Sequence, residues 1–189
     1  MILLRAEDVG RPAFARLARQ RIVAPHGPGA ARPRDVPDSP GLRALAAAPR
    51  VPSHVVLTGI AALWVHGWVD DAPVDWHAVG LRGLYRPPGT EVALHSGATA
   101  RLGVRVEGGL ALAPPARACL DALRWEPPAE ALAAVCGAVA AGRIGPGGLA
   151  DALAHDSATG GGYARLASLV AAVVVEVAAP APATAASPR

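Results

Sequence analysis

A chain of 189 residues, 52% of them apolar, is long enough for one domain with a core and a small appendage. All 18 basic residues are arginine and asparagine is absent, a bias of the kind a GC-rich genome imposes, so arginine as such is no sign of bidentate recognition. The net charge of +3 is unevenly spread: residues 1–50 hold nine arginines against four acids, and the remainder nine against eleven. A basic N-terminus on a mildly acidic body suits nucleic-acid binding through the first part; the plain alternative is a solvated Arg/Pro arm.

Ile2-Leu3-Leu4 is too short for the apolar region of a signal peptide. Leu166 to Ala179 is too short to span a membrane and is interrupted by Glu176. Cys119 and Cys136 have no CxxC spacing and read as reduced thiols on core faces. The expectation is a cytoplasmic protein with no membrane association.

In chain order, Leu3 to Val9 supplies at most one short helix. Arg11 to Ile22 reads as a helix with Pro12 in its first turn. Phe14, Leu17 and Ala18 share one face, and Arg16, Arg19 and Gln20 the other. Val23 to Arg32 suits a small β-wing around Gly27 and Gly29. The sum is an abbreviated winged-helix-like segment over 1–34, with Arg11–Arg21 as its recognition helix. A Pro/Arg/Asp linker follows at 35–40, then a mixed α/β domain over 41–178.

That domain opens with a helix over Gly41–Ala48 and a strand over Ser53–Leu57. Thr58 is placed to cap a helix running through His66. Val74–Val79 and Glu91–His95 alternate as strands. Gly103–Glu107 and Leu110–Ala113 form a hairpin around Gly108-Gly109. Helices then take over at Pro115–Leu123, Pro128–Ala141, Pro146–Ala154 and Tyr163–Val177. Residues 179–189 read as a disordered Ala/Pro tail. Strands first and a helical run afterwards is an α+β pattern.

Two segments carry a family resemblance: VVLTGIAALWVHGW, Val55 to Trp68, and GLALAPPARACLDAL, Gly109 to Leu123. With EDVGRPAFARLARQRIV before them and AVCGAVAAGRIGPGGLADAL after, the chain resembles the AbiEi-type antitoxins and regulators of actinobacteria over roughly residues 5–175. The resemblance implies a transcriptional regulator of its own promoter that counters a nucleotidyltransferase-like toxin in a type IV toxin–antitoxin pair. It implies no cofactor and no catalysis. DNA would meet Arg11, Arg16, Arg19, Gln20 and Arg21. A protein partner would meet Trp68, Trp76 and Asp121, although Asp121 reads first as an ion-pair centre between Arg117 and Arg124. The rival is an orphan of the same fold that has lost DNA binding and acts only as a protein-interaction module.

The third reading is an enzyme. Asp70, Asp71 and Asp75 form an acidic cluster that could hold Mg²⁺ for nucleotidyl transfer. No Gly-Ser phosphate loop precedes it, and a turn with solvated acids explains it better. His54, His66, His77 and His95 lack the spacing that places two metal ligands on one helix face, so no metal site is assigned. His66, ahead of Gly67, is expected at a helix C-terminus, where the dipole favours protonation.

Overall fold

The computed structural model describes residues 3–97, 99–155 and 161–178. The tail expected over 179–189 lies outside them. The fold is α+β, with two sheets and a helical layer.

The N-terminal segment runs β1 (Leu4–Arg5), α1 (Ala6–Val9), α2 (Arg11–Arg19), β2 (Val23–Pro25) and β3 (Ala30–Pro33). Its three strands are antiparallel in the order β1-β3-β2. The helix, connection and hairpin expected here are present. Leu3 to Val9, expected as one helix, divides into a strand and a single four-residue turn.

The body begins with α3 (Pro40–Ala47), whose cap Ser39 accepts the Leu42 N–H. A short 3₁₀ turn, Ala48–Arg50, leads on to β4 (Val56–Thr58), α4 (Gly59–Val65), β5 (Trp76–Gly80) and β6 (Val92–Ser96). β7 (Arg105–Glu107) and β8 (Leu110–Leu112) follow as the expected hairpin, turning on Gly108 and Gly109, both at positive φ. The five strands order as β6-β5-β4-β8-β7. β5 with β6 and β4 with β8 are parallel, and the other pairs antiparallel.

Four helices close the chain: α5 (Pro115–Trp125), α6 (Pro128–Ala140), α7 (Pro146–Ala154) and α8 (Gly161–Ala178). Three of them start on proline, where the missing N–H is harmless. α5 is the hub: it touches β4, α4, α6, α7 and α8. Ala118, Cys119, Leu120, Ala122 and Leu123 are buried around it, with Leu57, Leu63 and Leu112 in the same core. Alanine-rich faces let these helices approach closely, which is how a chain poor in aromatics fills its interior. Among the described residues no helix is long and apolar enough to cross a membrane.

Candidate functional site

The basic helix α2 is built by its ends. Gly10 precedes it at φ 81 and accepts the Phe14 N–H. At the other end the Arg21 N–H bonds the Ala18 carbonyl and the Ile22 N–H bonds the Leu17 carbonyl, a Schellman closure. That closure needs a left-handed residue, and the position is held by Arg21 at φ 57. It is the one non-glycine residue with positive φ among the described residues. Glycine would sit there without strain.

Phe14, Leu17 and Ala18 are half-buried, whereas Arg11, Arg16, Arg19, Gln20 and Arg21 are exposed. Among the described residues the four arginines make no side-chain hydrogen bond or ion pair. The amphipathic division read from the sequence is therefore present in three dimensions. No acid among the described residues is ion-paired with its basic face, although Glu7 lines the same cleft as Arg11.

The β2–β3 hairpin is less free. Gly27, at φ 80, lies so close on Trp64 of α4 that a Cβ there would stand 2.8 Å from the indole. The tip of the expected wing is thus docked on the body. Below it, buried Arg43 donates to Asp38 at 2.5 Å and to the carbonyls of Trp64 at 2.7 Å and Val69 at 2.6 Å. One guanidinium thereby joins the segment ahead of α3 to the C-terminal turn of α4. Arg43 also holds the Asp38 carboxyl below its ordinary value.

Of the residues expected to meet a partner, two are corrected. Trp76 is only 2% exposed; its indole N–H is spent on the Pro73 carbonyl at 2.9 Å, and Arg50 lies over its ring at 5.2 Å. Asp121 has no exposed surface. It accepts from Thr58 Oγ1 at 2.7 Å, from Arg117 Nε at 2.9 Å and from Arg124 Nη1 at 3.1 Å. A buried carboxylate so enclosed cannot touch a partner, and the ion-pair reading holds. Trp68 is half-buried against the core and tilted on the His66 ring at 6.3 Å.

The acidic cluster divides. Asp70 and Asp71 line a cleft beside the hairpin tip, and Asp75 lines another with His77, Glu91 and Glu126. Among the described residues no three His, Cys, Asp or Glu side chains group in a way that could hold a metal ion. Two of the histidines nevertheless meet. His77 Nδ1 and His95 Nε2 are 2.9 Å apart, and the His95 ring stacks on Trp125 at 3.7 Å. Burial, then the neighbouring His77, Arg86 and Arg124, push His95 down to about 4. His66 does cap α4, yet burial lowers rather than raises its pKa, against the pull of its hydrogen bond to the Ala113 carbonyl.

Glu126 is the group sequence reasoning missed. Only 4% exposed, it accepts the Ile60 N–H at 2.6 Å and so caps α4 from the far end of α5. Thr58, expected as the cap, instead gives its hydroxyl to Asp121. Gly59 at φ 66 is needed because a Cβ would collide with the Glu126 carboxylate. Burial, reinforced by Glu130 and Asp75, pushes Glu126 up to about 7, against the pull of the Ile60 N–H.

No family model and no curated relative matches the chain. Among solved structures it is similar to the crystal structure of RV2827C protein from Mycobacterium tuberculosis, at 13% identity and a TM-score of 0.46 over 92% of this chain and 72% of that one.

Proposed function

We propose that the chain is a non-enzymatic, DNA-binding regulator of the AbiEi antitoxin kind, meeting its promoter through α2 and a nucleotidyltransferase-like toxin through the body. The observation that carries the DNA half is the exposed face of Arg11, Arg16, Arg19, Gln20 and Arg21, whose arginines have no acid partner among the described residues. Such a face is suited to phosphate contacts, which supply most of the affinity and all of its salt dependence. Taking away one arginine–phosphate pairing lowers the slope of log K against log salt by about one unit. Arg16→Ala with Arg19→Ala should therefore weaken binding to promoter DNA and flatten its salt dependence by about two units. Unchanged binding in a gel-shift salt series sinks the assignment.

Arg21 gives a sharper test because its strain and its charge act in opposite directions. Arg21→Gly should raise stability by about 0.5–1 kcal/mol, since the left-handed conformation costs glycine little. The same change should reduce DNA affinity. A variant more stable to urea and weaker in gel shift supports the reading; a gain in both removes Arg21 from the interface.

A second reading has one observation in its favour. The hairpin tip is docked on Trp64 and so withdrawn from the role a free wing would play. That suits a protein-interaction module without DNA binding. Tight binding to a toxin encoded alongside, with no salt-dependent DNA binding, selects it.

A further inference from the structure

β7 forms one edge of the five-stranded sheet, and its only ladder partner is β8. The register Arg105 to Leu112, Val106 to Ala111 and Glu107 to Leu110 closes on the two-residue turn Gly108-Gly109. In such a hairpin the residues flanking the turn exchange both hydrogen bonds, and so does every second pair beyond them. The backbone groups of Arg105 and Glu107 therefore face β8, and those of Val106 face outward. The far side of β8 agrees with this parity: the Ala113 N–H bonds the Leu57 carbonyl, so Ala111 and Ala113 face β4. The Val106 N–H and C=O have no hydrogen-bond partner among the described residues.

Open sheet edges are usually blunted by proline, a bulge, a lysine or a cover, because unpaired backbone recruits another strand. β7 has no proline, and its register has no bulge. All three of its residues are exposed, Val106 to 72%. What guards the edge is its two charges, Arg105 and Glu107, neither of which is in an ion pair among the described residues. They are opposite in sign and lie symmetrically about Val106. The strand they match is therefore their own, read backwards. A two-fold axis through a pair of Val106 residues sets each Arg105 across from a Glu107. A register slipped by two residues would instead set Arg105 against Arg105, with like charges opposed. Apolar surface flanks the edge: Leu45 of α3, a helix that packs on β7 and β8, is 42% exposed, and Leu102 ahead of β7 is 72% exposed.

We propose that β7 is a self-association surface, through which two copies of the chain pair antiparallel with Val106 against Val106 and Arg105 of each across from Glu107 of the other. The two Val106 residues exchange N–H···O=C bonds as a closely spaced pair, joining the two sheets into one. The two cross-strand ion pairs fix the register. A contact this short belongs with weak, transient interfaces, so the expected Kd is on the order of 0.1–1 mM.

The test uses the full chain without DNA, so its result is separate from the DNA reading. Sedimentation equilibrium from about 10 µM to about 1 mM should show the average mass climbing from 19.0 kDa toward twice that value. The Val106 amide resonance should move over the same concentrations. V106P should abolish the association with the thermal midpoint nearly kept, since it removes an outward N–H and no ladder bond. R105E and E107R each set two like-charge pairs across the axis, and each should weaken association about tenfold. The double variant R105E/E107R restores opposite charges and should recover the wild-type constant. These charge variants carry the test should V106P not fold. A mass that stays at 19.0 kDa throughout overturns the proposal. So does a dimer that V106P leaves intact, which would lie elsewhere on the surface, or a double variant as weak as either single one.

Discussion

Asp121→Ala should lower the stability of the body by about 3–5 kcal/mol, the range for removing one member of a buried ion pair. Asp121 sits at the centre of α5, and α5 packs on β4, α4, α6, α7 and α8. Its carboxylate satisfies the Thr58 hydroxyl and two guanidiniums at once. Removing it strands the hydroxyl, buried at the junction of β4 and α4. Arg117 and Arg124 are 20% and 22% exposed, so each can turn partly to water, which places the effect toward the lower end of the range. Against a total stability of about 5–15 kcal/mol this is a large fraction. Urea denaturation measures it, and a drop below about 1 kcal/mol would show that the cluster is solvated. Arg117→Ala added to Asp121→Ala should cost less than it does alone, because its partner is already gone.

Three of the four members of this cluster are legible in the sequence. Arg117, Asp121 and Arg124 stand at helical spacing within one segment, so their pairing follows from the 3.6-residue period. Thr58 does not; it arrives because β4 lies against α5, a long-range fact with no local signal. The same distinction runs through the molecule. The helices that open on Pro115, Pro128 and Pro146 can be placed because proline at a first turn is a local rule. The hairpin at Gly108-Gly109 obeys another. His77 and His95, eighteen residues apart, meet only because β5 and β6 run parallel in the register His77 to Ala93 and Val79 to His95. A parallel pair needs a crossover, and nothing in LRGLYRPPGT, residues 81–90, announces one. Trp76 reads as a surface anchor from its place beside an acidic loop. β5 is buried at all five positions, which alternation cannot reveal. The exposed arginine face of α2 is readable throughout, because amphipathicity needs no partner to define it.

Glu126→Gln should stabilise the protein above pH 7 and leave it nearly unchanged near pH 4.5. Burial raises the folded-state pKa of Glu126 from an ordinary 4.5 to about 7. Between those values the unfolded chain gives up a proton that the folded chain retains. Stability from this group is therefore full below about pH 4.5 and is lost as pH rises through about 7. The difference corresponds to on the order of 3 kcal/mol in the ionised form. Glutamine keeps a carbonyl oxygen for the Ile60 N–H that caps α4 and carries no charge to desolvate. It also ends the repulsion from Glu130 and Asp75. The fall in stability between pH 5 and pH 8 should accordingly be shallower in the variant, and the two curves should converge at acid pH. Glu126→Ala separates the roles: it removes the charge and the cap together, leaves the Ile60 N–H unpaired, and should be less stable than Glu126→Gln at every pH. Parallel pH profiles for wild type and Glu126→Gln would mean that the carboxylate reaches water and titrates as an ordinary surface glutamate.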